Sequence, residues 1–181
     1  MGYFNAYGHI AKRNDIDAII FLGDYIYEYG PGSNEIRPHI PNNEILTLED
    51  YRSRYAQNRL DSNLLEAHRL HPFITIWDDH EFANNTYTDG AQNHQDYEDD
   101  WEKRKAIGQK AFFEWIPIRR QPGTNKLYRE LRYGSMAEFF MIDGRVEGRN
   151  IPLEDYTDSL RYDTARTMLG PTQRKWLIDG L

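Results

Sequence analysis

The chain has 181 residues, no cysteine and a formal net charge of -7, with a pI near 5.4. The lack of cysteine excludes disulfides and thiolate metal sites, and the negative charge argues against nucleic-acid binding. No stretch approaches the roughly 18 apolar residues of a membrane helix, and the first residues do not have the pattern of a signal peptide. The many aromatic residues fit a single packed domain over residues 1–181.

The first predicted elements are a short helix within residues 3–13 and a strand over about residues 17–22. The apolar run of this strand leads directly into Gly23 and Asp24. Glycine allows a sharp backbone turn, and α/β folds place their active sites at the carboxyl ends of strands. We therefore expect Asp24 to face a site. Residues 30–46, rich in Gly, Pro and Asn, predict a long loop beside it, and such loops are often functional.

Two helices are predicted between this strand and the next. Residues 47–50 resemble a capping box with Asp in place of Glu, so a helix should begin there with Tyr51 and Tyr55 on one face. Asp61 or the serine after it can cap a second helix, which should run to about residue 70. These helices lead the chain back to a second buried strand.

The second strand leads into the most polar segment of the chain. Residues 72–85 read PFITIWDDHEFANN, an apolar β-branched run followed by four ionisable groups at 78–81. Such groups directly after a buried strand are costly to desolvate unless something compensates them. A metal ion is the usual compensation, and hard cations prefer carboxylate oxygens. We therefore expect the carboxylates of Asp24 and Asp79 to converge.

The second half of the chain predicts a long helix, a hairpin and a final helix. Helical spacing covers residues 97–115, with the basic residues 103–105 among the exposed positions. Strands follow at 127–133 and 137–142. The last helix begins near Pro171, with Gln173 in its first turn. No histidine outside residues 78–81 has metal-ligand spacing, although His39 and His94 lie in loops that flank the two polar segments.

Two motifs carry a resemblance to a known family. GDYIYEYG at 23–30 and WDDHEFANN at 77–85 resemble the PhoD family of alkaline phosphatases and phosphodiesterases, a branch of the calcineurin-like metallophosphatases. Similar stretches are LEDYRSRYAQNR, FFEWIPIR, FFMIDGR and TMLGPTQRKWLIDGL, so the resemblance covers almost the whole chain. It implies an α/β fold in which packed β-sheets form a sandwich flanked by helices.

The resemblance also implies roles for several residues. The position of Asp24 bridges two metal ions, the position of Tyr27 is a phenolate ligand of iron, and Asp79 is a metal ligand. His80 would hydrogen-bond the phosphate or protonate the leaving oxygen. The implied cofactors are iron and calcium, although the residues themselves indicate only a hard oxygen-binding cation, and another divalent metal would fit. Alternatively, Asp24 caps a turn and Tyr27 is an ordinary packed aromatic residue.

Two further residues are candidates for substrate binding. Arg145 follows a predicted strand and Asp143, and arginine suits bidentate phosphate recognition, although a surface ion pair of little energetic value is an equal alternative. Asn84 could offer a neutral oxygen to a ligand, or it could shape a loop. The acidic neighbours of His80 at 78–81 should raise its pKa, and Asp78 and Glu81 could instead orient their neighbours.

The resemblance implies metal-dependent hydrolysis of a phosphomonoester or phosphodiester, and an extracytoplasmic location. Family members carry an N-terminal cysteine ligand and further ligand loops after the region matched by WLIDGL, so we interpret the chain as a central portion truncated at both ends. The missing ligands imply that the isolated chain could be inactive. The alternative is a noncatalytic metal- or phosphate-binding remnant. The choice between monoester and diester, and the oligomeric state, stay open at this point.

Overall fold

A computed structural model describes residues 2–32 and 35–181. Within these residues the chain forms five α-helices, four β-strands and one 3-10 helix at Ser159–Tyr162. In chain order the helices and strands are α1 (Asn5–Ala11), β1 (Ile19–Phe21), α2 (Leu48–Arg59), α3 (Ser62–Leu70), β2 (Phe73–Thr75), α4 (Trp101–Trp115), β3 (Arg129–Tyr133), β4 (Ala137–Met141) and α5 (Gly170–Gly180).

The strands form two small sheets. β1 pairs with β2 in parallel, with Ile19 opposite Phe73. β3 and β4 form an antiparallel hairpin, with Arg129 opposite Met141. Because the carboxyl ends of parallel strands lie at the same edge of a sheet, the segments after β1 and β2 begin side by side. This pairing brings the two predicted polar segments together.

One hydrophobic core supports the second polar segment. It contains side chains from α2, α4 and both sheets. Trp77, directly after β2, packs edge-on against Phe82 and Phe112 with ring centroids 5.2 Å apart in both pairs. Tyr51 on α2 is fully buried and donates a hydrogen bond to the backbone carbonyl of Phe82. The polar residues 78–81 therefore lie on a backbone that is packed on its inner side.

The predicted helix boundaries are mostly confirmed. At the start of α2, the N–H of Asp50 donates to Thr47 Oγ1 at 3.2 Å and the N–H of Thr47 donates to Asp50 Oδ2 at 3.0 Å, which completes the capping box. Asp61 caps α3, and α5 has proline in its first turn. None of the helices in the described part of the chain combines the length and apolarity needed to span a membrane.

Two predictions about α4 were wrong. The helix begins at Trp101 because Asp100 caps it, and Tyr97 lies outside it and is 87% exposed. Arg104, expected among the exposed positions, is only 2% exposed, because it is paired with Glu44 and Glu98. The predicted loop at 30–46 has no helix or strand among its described residues, and Ser33 and Asn34 lie outside them.

Candidate metal centre and active site

A buried carboxylate joins the two turns that follow β1 and β2. Glu81 Oε2 accepts from the backbone N–H groups of Asp24 at 3.0 Å and Asp78 at 2.7 Å, and Oε1 accepts from that of Tyr25 at 2.5 Å. Burial raises the pKa of Glu81 to about 7, although the three N–H donors oppose the shift. Glu81 thus orients the backbone of its neighbours, one of the two roles expected for it.

The turn after β1 requires glycine. Gly23 has φ 101°, and a Cβ there would lie 2.3 Å from the backbone nitrogen of Asp78, so any larger residue would push the two turns apart. Asp24 follows with φ 57°, in the left-handed region that aspartate tolerates better than most residues. Such strain is often found at functional sites. The turn directs the side chain of Asp24 toward the segment after β2.

Asp24, Asp79 and His80 form what we call the strand-end cluster. Each offers one ligand atom, and these atoms all lie within 4.8 Å of one another. The predicted convergence of Asp24 and Asp79 is therefore confirmed. Asp24 Oδ1 is buried without a hydrogen-bond partner among the described residues. Burial raises the pKa of Asp24, and the charge of Asp79 adds to the shift, whereas His80 opposes it. This donor set fits a cation, which would satisfy the unpaired oxygen.

His80 is held by a residue that the sequence did not single out. Its Nδ1 lies 2.6 Å from Oε2 of the fully buried Glu28. Burial alone lowers the pKa of His80, but the hydrogen bond with Glu28 and the nearby acidic charges outweigh it, so the pKa is raised. The predicted direction is confirmed, but Glu28 is the main cause, since Glu81 faces backbone N–H groups instead. The signal available in the sequence was a lone glutamate within the aromatic run YIYEY.

Tyr27 lies beside the strand-end cluster and is 43% exposed. Its hydroxyl donates to Asp24 Oδ2 at 3.2 Å, and its ring centroid is 4.4 Å from that of His80. Burial, together with the charge of Asp24, raises its pKa to about 12. The phenol is therefore a neutral donor in this structure, and ionisation would need a cation close to its oxygen.

Arg145 reaches the same cluster from the turn after β4. Its Nε contacts Asp78 Oδ1, and its Nη2 lies 3.2 Å from Asp79 Oδ1. The turn is fixed by Gln173 on α5, whose side chain accepts from the N–H of Asp143 at 2.7 Å and donates to its carbonyl at 2.8 Å. α5 thus positions Arg145 next to the candidate metal ligands.

A second arginine near this turn was missed. Arg149 Nη1 donates to the carbonyl of Gly144 at 3.1 Å, next to Arg145. It forms no ion pair with any residue in the ranges 2–32 and 35–181. Burial lowers its pKa, and the charge of Arg145 contributes. In the sequence, only its position four residues after Arg145 could have indicated that Arg149 lies near the site.

The asparagines and the flanking histidines have other contacts. Asn84 donates its backbone N–H to Glu28 Oε1 at 2.6 Å and its side-chain amide to Gln92 Oε1 at 2.7 Å. The N–H of Asn85 donates to Asp79 Oδ2 at 2.6 Å. His39 and His94 lie outside the strand-end cluster, paired with Glu35 at 3.4 Å and Glu98 at 3.1 Å, respectively.

Comparisons with known proteins identify the family and the fold of the chain. The family model described as PhoD-like phosphatase matches residues 1–181. Alkaline phosphatase D of Bacillus subtilis (strain 168) is 38% identical over 193 aligned residues, which cover 99% of this chain and 32% of that protein. A solved structure of PhoD matches with a TM-score of 0.86 and 36% identity, over 98% of this chain and 36% of that one.

These matches fix the fold and the family. The chain spans about one third of the length of the two relatives. The expected α/β fold is confirmed by the structural match, and the described residues contribute two small sheets and the helices around them. With its whole length matched by the family model, the chain belongs to the PhoD-like phosphatase family.

Proposed function

We propose that this chain carries part of the active centre of a metal-dependent phosphoric ester hydrolase. The observation that carries the proposal is the strand-end cluster, whose ligand atoms lie within 4.8 Å of one another at the joined ends of two parallel strands. Family membership supports the reaction class, and the relative from Bacillus subtilis is an alkaline phosphatase. An extracytoplasmic location follows from the same resemblance.

Asp24 and Asp79 are the proposed metal ligands. Two carboxylates, one of them with an unpaired buried oxygen, make a site for a hard cation rather than a soft one. Iron and calcium are the cations that the family resemblance implies, with Tyr27 as an oxygen donor to iron. When bound, such a cation supplies Lewis-acid activation of water and neutralises charge on the phosphoryl oxygens.

His80 and Arg145 are the proposed contacts of the substrate. Because Nδ1 of His80 is committed to Glu28, Nε2 is left to donate to a phosphoryl or leaving-group oxygen. Arg145 can place two N–H donors on a phosphoryl oxygen pair, and Arg149 adds positive charge beside it. The role predicted for Asn84 depends on its amide oxygen, since its backbone N–H donates to Glu28 and its amide nitrogen donates to Gln92.

The experiment measures hydrolysis and metal content together, in the protein as its gene encodes it. Turnover of p-nitrophenyl phosphate and of bis-p-nitrophenyl phosphate, with iron and calcium supplied, reports the monoester and diester reactions separately. Asp24→Asn and Asp79→Asn should each lose bound metal and turnover, whereas Asp15→Asn, at an exposed ion pair with Arg13, should lose neither. Metal-independent turnover that survives both site substitutions would refute the proposal.

The alternative function is noncatalytic binding of a metal or a phosphate. It shares the strand-end cluster and differs only in the absence of turnover. Metal binding that depends on Asp24 and Asp79, without hydrolysis of either ester, would select this alternative. Robust hydrolysis would exclude it.

A further inference from the structure

The two carboxylate oxygens of Glu28 have different hydrogen-bond partners. Oε2 lies 2.6 Å from Nδ1 of His80. Oε1 accepts the backbone N–H of Asn84 at 2.6 Å and a side-chain N–H of Asn93 at 2.9 Å. Since Glu28 is fully buried, no water can replace these donors without a rearrangement. The orientation of the His80 ring therefore depends on what holds Oε1 in place.

The side chain of Asn93 bridges two carboxylates. One N–H of its amide group donates to Glu28 Oε1, and the same nitrogen lies 3.0 Å from Glu44 Oε1, which takes the other N–H. The orientation of this amide is fixed by chemistry, because ionised carboxylates only accept and the amide oxygen could not face either of them. One side chain thus links Glu28 and Glu44.

Asn93 is itself held by hydrogen bonds to the backbone of Asn84 and to Arg104. Its N–H donates to the carbonyl of Asn84 at 3.3 Å, and its own carbonyl accepts from Arg104 Nη1 at 3.0 Å. Arg104 projects from α4 and also donates to Glu44 at 2.8 Å and Glu98 at 2.7 Å. We call Arg104, Glu44 and Glu98 the arginine cluster. Asn93 is the link between this cluster and Glu28.

We propose that Asn93 is a positioning residue for His80, which acts by holding the carboxylate of Glu28. Through this contact it keeps Nδ1 of the imidazole directed at Glu28 and leaves Nε2 free for the substrate contact proposed above. The inference rests on the role proposed above for His80 in ester hydrolysis. The competing interpretation is that Asn93 only closes the loop from Asn84, in which case its side chain would affect stability alone.

The first test is spectroscopic and does not depend on activity. The short hydrogen bond to Glu28 should give the Nδ1 proton of His80 a downfield, slowly exchanging NMR signal, assigned by its loss in His80→Gln. Asn93→Ala should weaken or abolish this signal. Thr86→Val is the matched control, because it removes another buried side-chain hydrogen bond in the same loop, to the carbonyl of Ala83, and does not touch Glu28.

The second test is kinetic and uses p-nitrophenyl phosphate with the protein as its gene encodes it. Loss of a partner that orients a working group typically costs 10- to 100-fold, so kcat of Asn93→Ala should fall by about tenfold or more. KM should change by less than about twofold, because Asn93 does not reach the proposed phosphate site. Thr86→Val should keep the kcat of the wild type, even when its melting temperature is as low as that of Asn93→Ala. If Asn93→Ala fails to fold, Asn93→Ser serves, since one hydroxyl cannot donate to both carboxylates.

The outcomes separate the inference from the proposed function. A His80 signal that is absent from the wild type, or that is unchanged in the Asn93 variant, overturns the inference. A His80→Gln variant with normal turnover overturns the role of His80 but leaves the signal to report on Asn93. If His80→Gln abolishes turnover while the Asn93 variant loses only stability, Asn93 merely closes the loop. Loss of both signal and kcat in the Asn93 variant supports the inference.

Discussion

The strand-end cluster and the arginine cluster are two acidic groups in one domain that are compensated in opposite ways. In the arginine cluster, Arg104 is only 2% exposed and reaches Glu44 at 2.8 Å and Glu98 at 2.7 Å. In the strand-end cluster, Arg145 reaches Asp79 at 3.2 Å, but Asp24 Oδ1 has no partner among the described residues. The first cluster is complete within the protein, whereas the second leaves a carboxylate oxygen for another group.

Because of this difference, we expect the arginine cluster to contribute to stability and the strand-end cluster to contribute to function. A buried charge costs several kcal/mol unless a partner offsets it, so a complete cluster can hold loops together. An incomplete cluster tends to destabilise the fold, and a site for a cation can be made only from such a cluster. Asn93 lies between the two, because its amide contacts Glu28 beside His80 and Glu44 beside Arg104. Substitutions in each cluster should therefore change different measurements.

The largest effect is expected on turnover. His80→Gln removes a proposed proton donor to the substrate while keeping a similar size, so turnover should fall by roughly 10² to 10⁴. The free energy of unfolding should change by only about 1 kcal/mol, as for a substitution that leaves no cavity. Turnover and melting curves on one preparation check both values.

The matched control for His80 is His94→Gln. His94 pairs with Glu98 in the arginine cluster as His80 pairs with Glu28, but it does not contact the strand-end cluster. Its substitution should leave turnover unchanged. If His80→Gln instead lowers the melting temperature strongly and the folded fraction retains normal turnover, His80 is structural.

The next effect is on stability and belongs to the arginine cluster. Arg104→Met leaves two carboxylates without their buried partner, so the free energy of unfolding should fall by about 3–5 kcal/mol. Arg132→Met, at an exposed position of β3 that also pairs with two glutamates, should cost less than about 1 kcal/mol. Urea denaturation of both variants tests the contrast. Equal losses would mean that burial does not distinguish the two arginines.

A smaller effect of opposite sign is expected at Asp24. In metal-free protein, Asp24→Asn removes the negative charge of a carboxylate. The raised pKa of Asp24 shows that the site disfavours this charge. Asparagine also tolerates the left-handed backbone conformation at this position. The variant should gain about 1 kcal/mol of stability, as with other relaxed functional sites. With calcium or iron at 100 times the dissociation constant, the wild type should gain about 2.7 kcal/mol and overtake it.

The experiment at Asp24 compares melting temperatures with and without metal. Asp179→Asn, at an exposed ion pair with Lys175, is the control and should be stabilised by metal as much as the wild type, because its strand-end cluster is intact. A metal-free Asp24→Asn variant less stable than the wild type would show that the strand-end cluster is as well compensated as the arginine cluster.

The sequence predicted the elements whose signals are local. The capping box at Thr47 and the apolar runs of β1 and β2 require only neighbouring residues, and the parallel pairing then places Asp24 beside Asp79. What escaped prediction depends on contacts across long sequence separations. Arg104 resembled any charged residue on an exposed helix face until Glu44, 60 positions away, was placed beside it.

The same reason explains the missed part of the site. Glu28 and His80 are 52 residues apart, and the position of Glu28 within the aromatic run YIYEY does not indicate which residue it contacts. The sequence attributes the raised pKa of His80 to its acidic neighbours, of which Asp79 does contribute, whereas Glu81 lies against backbone N–H groups. Proximity along the chain is a poor guide to electrostatics once a turn directs adjacent side chains to different sides.

The smallest effect concerns His68, a partly buried imidazole that has no acidic partner within residues 2–32 and 35–181, unlike His80 and His94. It stacks on Phe73 with ring centroids 3.8 Å apart and contacts the hydroxyl of Tyr25 at 2.9 Å. Burial, aided by the charge of Arg59, lowers its pKa from 6.5 to about 4. The unfolded chain therefore binds more protons between these two pH values, so stability should fall as the pH drops through this window. His68→Gln should flatten that part of the melting-temperature profile, whereas an unchanged slope would show that other groups control it.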